Sequence, residues 1–221
     1  MSTSGLYTFN PEVAEHMDEA WERVGKDPSK LAAKHIISMR RSMNYMMADW
    51  ATRGILLWTM RETSFFTVQG VGSITLDEHL IALFDATLRR EGSDVPMTPM
   101  ARDEYAAIVN KDQQGRPDQY FLERTIPPVL RLWQLPENST DEVRYWGFFR
   151  TESVTDLYQE PEIPYRYQEA FAAGLAARLA EKYAKAREAD LFAKAEGALD
   201  RASDADRERT DTQLTLGRRR R

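Results

Sequence analysis

Hydrophobic residues recur at helical spacing in the first 54 residues, and this pattern predicts two helices. The first is expected to begin at Asn10-Pro11, since asparagine caps free amides and proline fits a first turn, and to end at Gly25. The second is expected to follow Asp27-Pro28, which has the same chemistry, and to stop before Gly54. Together they predict an N-terminal helical hairpin over residues 1–54.

The second predicted helix carries an apolar stripe with the alternating three- and four-residue spacing of a heptad seam. The stripe begins at Ile36 and continues with four side chains, Met39, Met43, Met46 and Trp50. Two interpretations fit it: a core-facing stripe within one bundle, or an adaptable methionine surface for another chain. We place these four side chains at an oligomer interface.

After Gly54 the pattern changes to that of short strands separated by turns, with a short helix within residues 100–109. The clearest strands are expected at 80–88, 119–124, 129–135 and 142–150. We therefore predict a small antiparallel β-domain over residues 55–160, inserted between helices.

The strand at 142–150 is apolar on both faces. Val143, Tyr145 and Phe149 alternate with Trp146 and Phe148, so the strand is either sandwiched or borders a second chain. The β-domain has more aromatic side chains than a small sheet needs inside, and aromatics are enriched at interfaces. We accordingly add Trp133, Trp146 and Phe148 to the predicted oligomer interface.

A third, alanine-rich helix is predicted over 161–200, where small residues allow another helix to approach closely. The final segment, 201–221, reads as an extended tail that departs from the body in charge. It holds seven arginines against four acidic residues, a net charge of +3, whereas residues 1–200 carry −8. The predicted fold is α+β: an antiparallel helical bundle that carries the inserted β-domain and ends in the tail.

Composition excludes several classes of function. The 221 residues include no cysteine, so disulfides, thiolate metal sites and cysteine nucleophiles are excluded. Three scattered histidines do not suggest a metal centre, and no apolar run is long enough for a membrane span, nor is a secretory signal visible. No nucleophile elbow, phosphate loop or zinc-protease motif occurs, and Gly70-Val71-Gly72 is typical of a hairpin turn. We expect no cofactor and no enzymatic activity.

The charge balance argues against specific nucleic-acid binding. With a net charge of −5 and only short arginine clusters, the chain lacks the basic face that neutralises phosphates. A channel with negative walls would instead repel the phosphates of a passing duplex. The charge of the chain is therefore compatible with the passage of DNA along its surface without formation of a stable complex.

Several segments, in this order, resemble the head-to-tail adaptor proteins of tailed phages, a group that includes the tail accessory factor of short-tailed phages. They are RRSMNYMMADWATRGILLWTM, DATLRREGSDVPMTPMARDEYAAI, GRPDQYFLER, VLRLWQLPE, YWGFFR and IPYRYQEAFAAGLAARLAEKY. The resemblance covers roughly residues 8–215 and rests on the succession of the segments.

The resemblance implies a virion protein, made in the host cytoplasm, whose copies form a ring, typically of twelve, beneath the portal. Members of this family extend the DNA channel, help to retain and eject the genome, and offer a platform to a tail nozzle or to fibres. Their C-terminal extension reaches the portal, and the matching segment here is 201–216. The corresponding portal-binding residues are Arg207, Arg209, Leu214 and Leu216, of which the leucines suit an extended strand.

Two alternatives remain open. One is a different virion component, such as a tail-completion or minor capsid protein. The other is a soluble enzyme or ligand-binding module with a site between the bundle and the sheet, which would need convergent polar groups of perturbed acidity.

Overall fold

The computed structural model describes residues 9–55 and 57–206, which form two compact units. The helical unit consists of residues up to Met46 together with those from Ser153 onward, and the sheet unit is Met47–Glu152. The sheet unit begins at Met47, earlier than the predicted residue 55. The Met47 sulfur lies 3.8 Å from the hydroxyl of Thr151, near the other end of the same unit. The α+β class, with strands inserted between helices, is confirmed.

Five helices lie in the described residues. In chain order they are α1 (Val13–Arg23), α2 (Ala33–Thr52), α3 (Arg102–Ala107), α4 (Gln168–Tyr183) and α5 (Glu188–Asp206). Short 3₁₀ turns occupy Pro28–Lys30, Leu57–Thr59, Tyr165–Tyr167 and Lys185–Arg187. None of the helices in this described part is long and apolar enough to cross a bilayer.

Both predicted glycine stops are confirmed, whereas the predicted helix starts differ. Gly25 and Gly54 follow α1 and α2 with φ of 84° and 71°, a left-handed conformation that glycine adopts without strain. Asn10 does not cap α1; instead the first-turn amides of Val13 and Ala14 donate to backbone carbonyls of residues 159 and 157, each at 2.9 Å. A loop of the same unit thus satisfies the start of α1.

The predicted single C-terminal helix is two helices. The chain leaves the helical conformation at Ala184, with φ −152° and ψ 60°, before α5 begins. α5 then extends to Asp206, so the first six residues of the predicted tail are helical. The break contains neither proline nor glycine, so the sequence pattern predicts one continuous helix across it.

The core of the helical unit is built around α4, which packs against both α1 and α5. Its apolar face is completely buried, with Phe171, Leu175 and Leu179 at 0% exposure. At Gly174 an added Cβ would lie 2.5 Å from the sulfur of Met46, so glycine permits a close approach of α2. Lys182 donates to the hydroxyl of Ser42 at 2.6 Å, which adds a polar tie between α4 and α2.

The sheet unit contains ten short strands. They are β1 (Met60–Phe66), β2 (Ser73–Thr75), β3 (Leu80–Arg90), β4 (Ser93–Pro96), β5 (Thr98–Pro99), β6 (Gln114–Gly115), β7 (Gln119–Glu123), β8 (Val129–Trp133), β9 (Leu135–Pro136) and β10 (Glu142–Phe149). One antiparallel sheet has the order β1-β10-β3-β4 and a second the order β2-β8-β7-β5. Two short pairings, β5 with β7 and β6 with β9, are parallel.

Both four-stranded sheets contribute to one hydrophobic core. Its buried members are Leu76, Leu80, Ala86, Leu88, Met97, Tyr120, Leu130, Leu132, Val143, Tyr145 and Phe149. Alternation along the strands sends side chains to this core, and on β3 it is interrupted opposite Trp146 and Gly147, where the register shifts. The opposite face of each sheet is left without cover from the other sheet.

An ion pair between the half-buried Arg90 and the buried Asp141 fixes the end of β3 to the loop before β10. The Arg90 guanidinium donates from Nε and Nη2 to the Asp141 carboxylate, the shortest contact being 2.6 Å, and also reaches Glu137 at 2.7 Å. The Asp141 side chain is only 2% exposed, and its backbone carbonyl accepts a bond from the amide of Thr67 at 2.8 Å. The pair therefore holds three segments of the sheet unit together.

We predict that Arg90→Met destabilises the protein by about 2–4 kcal/mol, because it leaves the Asp141 carboxylate buried without its cation. Arg89→Met is the matched control, since the neighbouring Arg89 pairs with the more exposed Asp94, and it is expected to change stability little. Urea unfolding of both variants measures the difference. Equal losses would show that burial of Asp141 has no special weight.

Candidate interaction surfaces

Four aromatic side chains lie on the outer face of the first sheet: Phe66, Phe84, Trp146 and Phe148. The last three are neighbours on β3 and β10, and we call them the aromatic patch. Phe84 is 67% exposed and Trp146 is 40% exposed. The rings of Phe84 and Phe148 meet edge to face, with centroids 6.4 Å apart. An exposed group of large aromatic rings on a sheet is typical of a surface that binds another protein.

The alternation of β10 places this patch. Val143, Tyr145 and Phe149 are at most 3% exposed in the core, so Trp146 and Phe148 must point to the other face. Because β10 pairs with both β1 and β3, it lies inside the sheet and not at an edge. The structure confirms that this strand has apolar side chains on both faces, and contact of the outer face with a second chain stays a prediction.

The other end of the same outer face carries ion pairs, beside the exposed ring of Phe66 opposite Glu142. On β10 the Arg144 guanidinium donates to Glu142 at 3.0 Å, and across the neighbouring hairpin Arg89 donates to Asp94 at 2.6 Å. A hydrogen bond from the Ser64 hydroxyl, and then that from Arg144, holds the pKa of Glu142 below its ordinary value. The carboxylate therefore stays ionised at neutral pH, and ion pairs border the aromatic patch along the strands.

The methionine stripe of α2 is placed wrongly in the predicted oligomer interface. Met39 and Met43 are 0% exposed, Met46 is 1% and Trp50 is 3%. A side chain that the protomer already buries offers no area to a second copy. The stripe is the core-facing one, which was the other interpretation of the same spacing.

The remaining predicted residues divide into two groups. Trp133 is half-buried and its Nε1 donates to the carbonyl of Asn110 at 3.2 Å, whereas Trp146 and Phe148 belong to the aromatic patch. The four predicted portal-binding residues, Arg207, Arg209, Leu214 and Leu216, lie outside the described residues. Of the predicted interface residues in the described structure, Trp146 is exposed, whereas Trp133 and Phe148 are half-buried.

A groove runs between α1 and the start of α4 in the helical unit, with a volume of about 560 Å³. Its lining consists of Phe9, Pro11, Glu15, His16, Glu19, Arg23, Tyr165, Arg166, Gln168, Glu169 and Ala172. We call it the α1–α4 groove. Its size is in the range of pockets that enclose a small ligand or a short peptide segment.

Two buried side chains that line this groove have polar atoms without a hydrogen-bond partner. His16 is 4% exposed and Gln168 is 7% exposed, yet His16 Nε2 and Gln168 Oε1 are unpaired. The Gln168 amide nitrogen is satisfied, since it donates to Asn10 Oδ1 at 3.2 Å. Buried polar atoms are rarely left unpaired, so the pair marks the groove as a place where a partner atom is expected.

Arg23 separates this groove from a second, smaller crease. Its guanidinium donates to both Glu169 oxygens at 2.7 and 2.8 Å and to Glu19 at 2.6 Å. These bonds, first that to Glu169, raise the pKa of Arg23 and lower that of Glu169. The crease beyond, of about 390 Å³, is lined in addition by Arg187, Lys194 and Arg201 of the α5 side.

Within residues 9–55 and 57–206, no group of three or more histidine, aspartate or glutamate side chains could hold a metal ion. The surfaces that the structure does present, a patch of aromatic rings and a groove with unpaired polar atoms, are those of binding. Each needs complementary side chains or backbone from a partner, and neither places a nucleophile beside a base.

Sequence reasoning missed Phe84 and the groove. Strict alternation from Leu88 and Ala86 would put Phe84 in the core, but a shift in register opposite Trp146 and Gly147 turns it outward. The groove is made by residues about 150 positions apart, so no local pattern could reveal it. The only sign of it in the sequence is that His16 shares a helical face with the apolar residues Val13, Met17 and Ala20.

A family model described as SU10 adaptor protein matches residues 15–220 of the chain. The match covers both units, all five helices and all ten strands, except for the first two residues of α1. No curated protein matches the chain.

We predict that stability falls as the pH drops below about 6.5, the ordinary value for histidine. Burial of His16 lowers its pKa, an effect that Glu15 and Glu19 partly offset and Arg23 reinforces. The unfolded chain then binds a proton that the folded chain resists, so this contribution is present above pH 6.5 and is lost toward the lowered pKa.

Urea unfolding between pH 5 and 7.5 measures how steeply the free energy of unfolding changes with pH. The variant His16→Leu is expected to make this dependence shallower. This window lies above the range in which carboxylates with lowered pKa, such as Glu142 and Glu169, lose their contribution. The same slope in both proteins would exclude His16 as its source.

Proposed function

The chain belongs to the SU10 adaptor protein family, a family of phage adaptors, and from this premise we propose that it joins head to tail in the virion. In this proposal copies of the chain form a ring of twelve beneath the portal. The ring extends the DNA channel, carries the tail nozzle or fibres below, and takes part in retaining and ejecting the genome. The role is structural, without a chemical reaction.

The observation that carries the proposal is the aromatic patch on the outer face of the first sheet. A ring needs two different surfaces on each copy that meet head to tail and close by rotation. Phe84 and Trp146 supply large exposed rings on a rigid four-stranded sheet, next to ion pairs that can set the orientation of a partner. We assign the patch to the contact with the neighbouring copy.

Charge supports a passage for DNA and not a binding site for it. Residues 1–200 carry a net charge of −8, and repetition of this charge around a ring makes the assembly strongly acidic. Phosphates are repelled by such walls, so a duplex passes without the counterion release that stabilises a complex. The partners in the particle are therefore proteins.

The portal is assigned to the C-terminal tail. α5 is helical to Asp206, and beyond it the sequence has arginines at 207, 209 and 218–221 and leucines at 214 and 216. Leucines two positions apart present their side chains on one side of an extended strand, the form in which a segment adds to a sheet edge or fills pockets. Arg207 and Arg209 add charge-assisted bonds to carboxylates of the portal.

We predict that Phe84→Ser combined with Trp146→Ser weakens assembly of the chain on portal at least about tenfold, since truncation of a central aromatic commonly costs more than 1.4 kcal/mol of binding. Val109→Ser is the matched control, because Val109 is also an exposed apolar residue of the sheet unit, at 101%. Light scattering and electron microscopy of mixtures with portal provide the readout.

Thermal unfolding of the double variant should stay near that of the parent, because both side chains are exposed. Assembly that is unimpaired in the double variant, or impaired equally by the control, would remove the patch from the subunit contact.

We predict that deletion of residues 207–221 abolishes attachment to portal and leaves the fold intact. The deletion should begin after Asp206, since Ala202 of α5 is 5% exposed and belongs to the core of the helical unit. Size-exclusion chromatography of the mixture with portal tests attachment, and circular dichroism tests the fold. Co-migration of the shortened chain with portal would contradict the assignment of the tail.

A further inference from the structure

We propose that the α1–α4 groove binds residues 207–221 of the same chain as long as the protein is free. Two observations support it: the groove is lined by buried side chains with polar atoms that lack partners, and α5, the last described helix, contacts the turn whose Tyr165 lines the groove. It concerns the free protein and does not need the ring or the portal.

The unpaired atoms call for a ligand with a backbone. Gln168 Oε1 is an acceptor and needs a donor, and the neutral imidazole of His16 can use its Nε2 as donor or acceptor. An extended peptide offers N–H and C=O groups in alternation, so it can pair with both atoms once these buried side chains turn toward the groove. A compact anion would supply no donor for Gln168.

The apolar part of the groove suits leucine side chains. Phe9 and Tyr165 meet edge to face with centroids 6.5 Å apart, and Pro11 and Ala172 complete the apolar lining. Phe9 is 69% exposed and Tyr165 is 76% exposed, so these rings have area left to cover. Leu214 and Leu216, which point to the same side of an extended segment, can both enter.

Charge favours the same segment. The lining of the groove contains three carboxylates, Glu15, Glu19 and Glu169, against two guanidinium groups. Arg23 already donates to two of these carboxylates. Residues 207–221 contain six arginines and two acidic residues, so the segment is strongly basic and complements the rim.

The path of the chain makes the docking feasible. α5 follows α4 after a short connection and contacts the Tyr165–Tyr167 turn, whose Tyr165 lines the groove. From Asp206 to Leu214 there are eight residues, which span up to about 28 Å when extended. The tail is thereby held near the groove at a high effective concentration.

One consequence rests on the proposed function: a tail that lies in the groove is withheld from the portal. Attachment then requires the portal to compete for the same leucines and arginines. Free copies would expose no portal-binding segment to each other, which keeps the tail inactive until the portal is present.

The absence of cysteine allows a direct test in the full-length chain. Ala172→Cys, in the groove, is combined with Leu216→Cys, and Leu214 remains as the anchor. The control pair is Ala205→Cys with Leu216→Cys, since Ala205 is exposed near the end of α5. A tail that is free in solution would close the short loop to position 205 faster than it reaches the buried position 172.

With oxidised glutathione added as the oxidant, the groove pair is expected to form an intramolecular disulfide at least about tenfold faster than the control pair in dilute protein, because docking raises the local concentration of the thiol. Non-reducing electrophoresis and intact mass distinguish the products. A covalent dimer would assign the groove to the tail of a second copy, and a groove pair no faster than the control would leave the groove without the tail; either result overturns the inference.

Failure of this inference differs from failure of the portal assignment. If the groove pair does not react but deletion of 207–221 still abolishes attachment, the portal assignment stands alone. If the disulfide forms but the shortened chain still attaches, the tail docks in the groove without serving the portal. When both hold, the disulfide-bonded protein is expected to attach to portal only after reduction.

Discussion

Strand β10 is apolar on both faces, and the sheet unit covers only one of them. Val143, Tyr145 and Phe149 enter the shared core of the two sheets, and this burial fixes the direction of every other side chain on the strand. Trp146 and Phe148 are consequently held outward on a strand that is paired on both sides. The protein cannot hide these rings by a small rearrangement, because a shift by one residue would expose the core set instead.

The helical unit has the opposite property, since it uses its apolar stripe internally. The alanines of α4 and the close approach at Gly174 bring α2 near enough to bury the methionines that a heptad seam would offer to another helix. Within the described part of this unit, unsatisfied buried side-chain atoms are confined to His16 and Gln168. The buried side-chain atoms without partners in this unit therefore belong to residues that line the α1–α4 groove, where a further segment could supply partners.

The sequence predicts the features that depend on local chemistry. Gly25 and Gly54 end helices because they adopt positive φ, and alternation in 142–150 shows a strand with two apolar faces. It fails where two structures share one pattern or where the cause is distant in sequence. Heptad spacing is the same for a core stripe and a seam between chains, a register shift that nothing in β3 announces turns Phe84 outward, and the groove forms only when α1 meets α4.

The size of the aromatic patch bears on how a ring could form. Three rings bordered by ion pairs provide far less area than the interface of a permanent dimer, so two free copies gain little by associating. A ring on a template changes this balance, because each copy held at the portal presents its patch to a neighbour that is already close. Weak lateral contacts then add up around a closed circle, and the last copy to enter makes contacts on two sides. A small patch thus allows copies of the chain to assemble at the portal and leaves free copies unassembled.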